Sequence, residues 1–84
     1  MAKKRTKRET LVDMLEVLAQ QPRKPTHLMY KANLSHPRMK DLLEELTQSQ
    51  LIAEGEDEIK ITEKGRAFLL EYQKAQKLFD SFGI

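Results

Sequence analysis

The stretch that most constrains the fold is Thr26–Ser49, which predicts two helices joined by a tight turn. In its first part, Leu28, Met29 and Ala32 share one face of a short helix. Asn33 follows, a residue type that tolerates the left-handed conformation in which many helices end. We therefore expect the first helix of the pair to end at this asparagine.

The second helix of the pair has a clearer start. Ser35 is a good N-cap, and Pro37 falls in the first turn, where its missing N–H is tolerated. Four apolar residues then repeat at helical spacing and predict one buried stripe: Met39, Leu42, Leu43 and Leu46. Two helices joined across so short a turn, with the single apolar residue Leu34 in it, favour a helix-turn-helix, whose second helix usually enters the DNA major groove.

The charge is divided unevenly along the 84 residues. Residues 1–40 hold ten basic and three acidic residues, a net charge of +7, whereas residues 41–84 hold five basic and ten acidic residues, a net charge of −5. Such a division predicts one side that faces a polyanion. The alternative is a solvated charged surface with a disordered basic tail.

The chain begins with a basic segment that leads into a first helix. Residues 1–8 carry five positive charges, and we expect a flexible arm that follows phosphates or lies in a minor groove. A solubilising tail is the alternative. Helical periodicity then runs from about Thr6 to Gln20, with a core face of Leu11, Met14, Leu15 and Leu18. Pro22 and Pro25 end this helix.

After the helix pair, the sequence predicts a β-hairpin and a last helix. Residues 51–54 and 58–62 read as two short strands around the turn Gly55-Glu56-Asp57, which would form the wing of a winged helix. Thr62 is expected to cap a helix from Glu63 to about Asp80, and Gly65 to permit close approach to the strands.

The last helix carries a repeat typical of a coiled-coil seam. Five residues recur at spacings of 4, 3, 4 and 3: Phe68, Tyr72, Ala75, Phe79 and Phe82. We expect Phe68 and Leu69 to pack on the domain's own core, and the part from Tyr72 onward to project and form a homodimer. In the alternative, the helix folds back on the chain's own first helix.

Two motifs resemble a known family. Residues 26–35, THLMYKANLS, are similar to its T-x-I-M-Y-K-A-N-L-S run, and residues 61–69, ITEKGRAFL, to its Y-x-I-T-x-K-G-x-x-F-L run. The family is that of small archaeal winged helix-turn-helix regulators and chromatin-associated proteins that dimerise through a long C-terminal helix. The resemblance spans about Arg8 to Tyr72. It implies DNA binding and dimerisation, without naming a target sequence.

The chain departs from the family at one step. The family usually has glycine in a K-G-L-I run after the second helix, where this chain has Ser49-Gln50-Leu51-Ile52. We expect a slightly different helix end there, and no change of fold. The predicted class is thus mainly α with a two-stranded wing. It comprises a basic arm (residues 1–8), a winged helix-turn-helix domain (residues 9–66) and a C-terminal dimerisation helix (residues 67–84).

The candidate DNA contacts are basic or polar residues of the arm, the loop after the first helix, and the helix pair. They are Lys3, Lys4, Arg5, Arg23, Lys24, Thr26, His27, Tyr30, Lys31, Ser35, His36, Arg38 and Lys40. Beyond Lys40 the exposed face of the second helix is acidic, which predicts that it enters DNA by its tip. Four carboxylates surround the wing turn, so the wing either points away from DNA or binds protein.

Other classes of function find little support. With no cysteine, no glycine-rich phosphate loop and no room for a sizeable pocket, we expect no catalysis, no cofactor and no small-molecule substrate. Two histidines are too few for a metal site, and no apolar run could cross a membrane. No secretory signal is recognisable, so we expect a cytoplasmic protein, nucleoid-associated if archaeal. The main expectation is a dimeric protein that binds double-stranded DNA; the alternative is a protein-interaction module that uses the acidic wing and the aromatic last helix.

Overall fold

The computed structural model describes residues 4–84, so Lys3 lies outside the described residues. Four helices and two strands follow in the order α1 (Lys7–Gln20), α2 (Pro25–Lys31), α3 (His36–Gln48), β1 (Ile52–Glu54), β2 (Ile59–Ile61) and α4 (Glu63–Ser81). The predicted fold class is confirmed: a mainly helical chain with a two-stranded wing and a long C-terminal helix.

The first helix begins within the segment expected to form the arm. The hydroxyl of Thr6 accepts the Glu9 N–H at 3.0 Å, and the Glu9 carboxylate accepts the Thr6 N–H at 3.0 Å. This reciprocal capping box satisfies two donors that would otherwise lack a partner at the helix start. Lys7 and Arg8, which the sequence analysis assigns to the arm, are therefore part of α1.

All elements contribute to one apolar core. The predicted stripe of α3 is buried, and so are Leu28 and Ala32 of α2. The core residues are Val12, Met14, Leu15, Leu18, Leu28, Ala32, Met39, Leu42, Leu43, Leu46, Ile52, Ile59 and Leu69. Leu11, expected in the core face of α1, is only half-buried at its edge. Each Å² of apolar surface that this core removes from water stabilises the fold by about 25 cal/mol.

The helices on either side of the recognition turn end in the same way. Asn33 and Gln50 both adopt the left-handed conformation, with φ of 55° and 63°. After α2, the Leu34 N–H donates to the Met29 carbonyl at 2.9 Å; after α3, the Leu51 N–H donates to the Leu46 carbonyl at 3.0 Å. Both are Schellman ends. The absent glycine therefore leaves the hydrogen-bond pattern of such an end in place and puts Gln50 in a conformation that favours glycine.

The wing is an antiparallel pair with Ile52 opposite Ile61 and Glu54 opposite Ile59. The loop after α1 extends it, because Arg23 forms an isolated bridge to Ile59. The Arg23 N–H donates to the Ile59 carbonyl at 3.1 Å, and the Ile59 N–H to the Arg23 carbonyl at 2.7 Å. The backbone of Arg23 is therefore fixed by the sheet.

The start of α4 lies directly against the wing, as predicted from Gly65. A Cβ atom at Gly65 would collide with the Leu51 carbonyl oxygen and lie 2.7 Å from Cγ1 of Ile61. The hydroxyl of Thr62 accepts the Gly65 N–H at 2.9 Å and donates to the Gln50 carbonyl at 2.7 Å. One threonine thus caps α4 and ties it to the end of α3.

The last helix packs on α1 through its first half and exposes apolar side chains along its second. Leu69 is buried and Tyr72 packs against the core. Phe68, expected in the core, is 43% exposed, so that prediction is wrong. Adjacent positions on a helix point about 100° apart, so only one of Phe68 and Leu69 faces α1. Farther along, Leu78, Phe79, Phe82 and Ile84 are exposed.

Candidate nucleic-acid interface

The tip of α3 offers mainly side chains to a phosphate. The Ser35 hydroxyl accepts the Arg38 N–H at 3.4 Å, and Pro37 has no N–H. Within the described chain, His36 therefore carries the one N–H of the first three helical residues that is not engaged. Ser35 and Pro37 thus leave one free N–H for an anion at this helix start. The exposed His36 and Arg38 side chains remain available.

A groove between α3 and the wing has two carboxylates and one lysine in its lining. It measures about 280 Å³ and is lined by Lys40, Leu43, Glu44, Thr47, Gln48 and Glu54. We call it the α3–wing groove. The cation of Lys40 therefore shares this groove with Glu44 and Glu54, so its attraction for a phosphate is offset.

The acidic wing turn lies on the same side of the molecule as this groove. Residues 54–59 line a smaller cleft of about 100 Å³ together with Pro25 at the start of α2 and Leu43 of α3. Glu54, shared by both clefts, joins the turn to the groove. The negative charge of the wing is thereby added to that of α3.

A second cleft, on the outer face of α2, has the opposite character. It measures about 450 Å³ and is lined by Arg23, His27, Tyr30 and Lys31. We call it the α2 cleft. His27, Tyr30 and Lys31 stand at positions i, i+3 and i+4 of one helix and so share a face. No carboxylate lines the cleft, and none of the three basic side chains has an ion pair within residues 4–84.

Arg23 is held in place from two directions. Its backbone pairs with Ile59, and one guanidinium nitrogen, Nη2, donates to Gln20 Oε1 at 3.0 Å. Its Nε is buried and has no hydrogen-bond partner in the described part of the chain. An unpaired buried N–H is unfavourable by about 1–3 kcal/mol.

The remaining candidate contacts among the described residues are exposed and line none of these clefts. Lys24 is the N-cap residue of α2 and is exposed, with no side-chain cap bond; Thr26 is exposed one position into the helix. Lys4, next to the start of α1, is exposed.

Two cations near the N-terminus bind the chain's own groups. Arg5 Nη1 donates to an Asp13 carboxylate oxygen at 2.8 Å, and Nη2 donates to the Asn33 carbonyl at 3.1 Å. Lys7 Nζ lies 2.5 Å from a Glu45 carboxylate oxygen. Arg5, predicted to contact DNA, thus bridges α1 and the recognition turn. The sequence carried no signal of these contacts, because they join residues far apart in the chain.

The residues proposed for dimerisation differ in exposure. Ala75, Phe79 and Phe82 are exposed, as is Phe68, whereas Tyr72 is half-buried against the core. The outer seam is therefore accessible to a partner.

Metal and membrane features are not found in the described residues. No group of three His, Cys, Asp or Glu side chains among residues 4–84 could hold a metal ion. Within the same residues, no helix combines the length and the apolar character that crossing a bilayer requires.

Comparison with known proteins agrees with this arrangement of elements. A family model described as winged helix-turn-helix matches residues 4–80, which include all four helices except the last residue of α4, and both strands. No curated protein matches the chain. Domains of this kind generally bind DNA by placing a helix in the major groove. The match covers nearly the whole chain, which therefore belongs to the winged helix-turn-helix family.

Proposed function

We propose that this protein binds double-stranded DNA as a homodimer and acts as a transcriptional regulator or a chromatin-associated protein. The observation that carries the proposal is the unpaired basic surface of the helix pair. The α2 cleft and the tip of α3 present Arg23, Lys31 and Arg38 without a carboxylate partner within residues 4–84. Cations of this kind supply most of the affinity of a protein for duplex DNA.

The charge of the α3–wing groove supports entry by the helix tip. Glu44 and Glu54 line that groove, so DNA laid along the full length of α3 would meet two carboxylates. Approach by the tip keeps His36 and Arg38 near the phosphates or base edges. A phosphate contact from Arg38 would position the protein, and a contact to guanine would specify the sequence.

The exposed half of α4 supports the homodimer. Phe79 and Phe82 are 55% and 74% exposed, and Leu78 and Ile84 extend the apolar surface. Exposed side chains of this size on one helix are typical of a surface that binds a partner. A dimer would hold two copies of α3 at a fixed separation, matching two half-sites. A role on chromosomal DNA would also place the protein at the nucleoid.

The DNA claim is tested by fluorescence anisotropy with a random duplex at about 50 mM and about 150 mM salt. We expect affinity to fall steeply between the two, because phosphate contacts release condensed counterions. A Lys3→Gln/Lys4→Gln variant should bind more weakly with a shallower salt dependence, because it removes two cations of the arm. This variant keeps Thr6, so the cap of α1 is preserved. Absence of binding at the lower salt would overturn the proposal.

The dimer claim is tested by the solution mass of the full chain. We expect twice the 9.8 kDa of the monomer, and a monomer for Phe79→Ser/Phe82→Ser. Leu70→Ser is the control, since Leu70 is 52% exposed but lies outside the seam. A monomeric parent chain would overturn the dimer while leaving the DNA claim intact.

The second candidate is a protein-interaction module, and the wing favours it. Glu54, Glu56, Asp57 and Glu58 are exposed around one turn. Such a turn would repel phosphates and attract a basic protein surface. Weak DNA binding without salt dependence in the titration above would favour this candidate.

A further inference from the structure

We propose that the α2 cleft binds an unpaired nucleotide, so that the protein also engages single-stranded nucleic acid. This inference extends the proposed DNA binding and rests on it. The cleft would stack a base on the ring of Tyr30 and hold the neighbouring phosphates with Arg23 and Lys31.

The exposure of Tyr30 is the first argument. Its side chain is 75% exposed, although tyrosine can contribute much to stability when it is packed. Its hydroxyl has no hydrogen-bond partner in the described chain. Neither packing nor a hydrogen bond within residues 4–84 therefore accounts for the ring. Exposed aromatic rings on a basic surface are the usual platforms on which unpaired bases stack.

The surrounding charge is the second argument. Arg23 and Lys31 line the same cleft as the ring, and His27 of α2 is the fourth lining residue. No carboxylate lines it, in contrast to the α3–wing groove. Phosphates flank every base of a strand, so a ring bordered by cations suits a nucleotide better than it suits an uncharged aromatic ligand.

The shape is the third argument. The α2 cleft is an open depression of about 450 Å³ with the Tyr30 ring in its lining, so a base can reach the ring from solvent. A base within a duplex is stacked on both faces and cannot enter a cleft, whereas a base in a single strand can. Duplex DNA would meet only the rim of cations. Single strands, overhangs and frayed ends would gain the ring as well.

The experiment compares a fluorescein-labelled twelve-nucleotide oligothymidine with a blunt twelve-base-pair duplex, using the full chain at matched salt. We expect Tyr30→Ala to weaken binding of the single strand by about 10- to 100-fold, the effect typical of losing one stacked base. We expect a clearly smaller loss for the duplex, because a paired base cannot stack on the ring. Tyr30→Phe should bind the single strand like the parent, because the ring is kept.

Tyrosine emission gives a second readout. The chain has two tyrosines and no tryptophan, so a Tyr72→Phe background leaves Tyr30 as the single emitter. We expect oligothymidine to quench this emission when a base stacks on the ring, with the titration corrected for absorption by the DNA. Lys31→Gln should weaken single-strand binding more than Lys64→Gln, a control at an exposed lysine outside the cleft.

Each outcome bears on the proposal separately from the DNA claim. If duplex binds with the expected salt dependence but Tyr30→Ala leaves oligothymidine affinity unchanged, the unpaired-nucleotide site is overturned and the DNA claim stands. If Tyr30→Phe loses as much affinity for oligothymidine as Tyr30→Ala does, the hydroxyl and not the ring makes the contact, and the stacking proposal is overturned. If neither nucleic acid binds, both proposals fail.

Discussion

The α2 cleft and the α3–wing groove are two concave surfaces on one small domain, and their charges are opposite. The α2 cleft holds Arg23, His27 and Lys31 with no carboxylate, whereas the groove places Lys40 beside Glu44 and Glu54. A fold that generally places α3 in DNA here has carboxylates beside α3, whereas Arg23 and Lys31 at the α2 cleft have no carboxylate partner within residues 4–84. Within one fold, the positively charged surface can therefore lie at different places. The fold alone does not determine how such a domain is oriented on the duplex.

The largest effect is expected when the positive charges of the α2 cleft are removed. We expect Arg23→Gln/Lys31→Gln to lower duplex affinity by about 10- to 100-fold near 100 mM salt and to reduce the salt slope by about 2, since each phosphate contact contributes about 0.9. The measurement is anisotropy over a salt series. Lys64→Gln/Lys77→Gln removes the same charge elsewhere. Equal losses in both variants would show that only net charge matters.

Disrupting the contact between α4 and the wing should destabilise both surfaces, because the wing forms one wall of the groove and also holds Arg23 of the α2 cleft through Ile59. Gly65→Ala forces a Cβ atom against the Leu51 carbonyl and Ile61, so we expect unfolding free energy to fall by about 1–3 kcal/mol. Urea denaturation followed by circular dichroism measures this. Gly55→Ala is the control, because its Cβ would lie 3.3 Å from the Glu58 carbonyl in an exposed turn. A loss for Gly55→Ala as large as that for Gly65→Ala would contradict the close approach of α4.

Removing the negative charges of the α3–wing groove should make its electrostatics more like those of the α2 cleft. Glu44→Gln/Glu54→Gln leaves Lys40 without opposing carboxylates, and we expect duplex affinity to rise by about 3- to 10-fold at low salt. Glu16→Gln/Glu71→Gln is the control with the same change of net charge. If the two pairs gain equally, the groove has no special place in the electrostatics of binding.

The smallest expected effect concerns the residue that connects the two walls of the groove. Gln50 has φ of 63°, a conformation unfavourable for a side-chain-bearing residue. We expect Gln50→Gly to raise the unfolding free energy by about 0.5 kcal/mol, because relief of strain outweighs the added freedom of the unfolded chain. Thermal denaturation measures it, with duplex affinity unchanged. A decrease in stability would mean that the Gln50 side chain contributes more than its backbone strain removes.

Local patterns predicted most of the fold. The caps at Thr62 and Ser35 and the stripe of α3 depend on residues within four positions of each other, and the structure has them as expected. The hairpin was also local. Phe68 was misplaced because heptad spacing identifies a stripe on a helix but does not say which side of that stripe faces α1.

The candidate site was harder to predict because it depends on contacts across the chain. The sequence indicates its residues as DNA contacts because they are basic or polar. The spacing of His27, Tyr30 and Lys31 predicts that they share one helix face. That Arg23 joins them follows from its pairing with Ile59, 36 positions later in the sequence, which no local pattern shows. The sequence predicts Lys40 as a DNA contact, whereas the fold brings Glu54 of β1 into the same groove as Lys40.

The contacts of Arg5 and Lys7 with Asp13 and Glu45 have a consequence for counting phosphates. These carboxylates act as counterions built into the protein. If a DNA phosphate replaces Asp13 or Glu45 as the partner of Arg5 or Lys7, the released carboxylate attracts cations from solution. This uptake of cations partly cancels the release of cations from the DNA. The salt slope of the full chain is then smaller than the number of phosphates it contacts. Asp13→Asn/Glu45→Gln would remove the uptake, and the steeper slope of that variant would count the contacts directly.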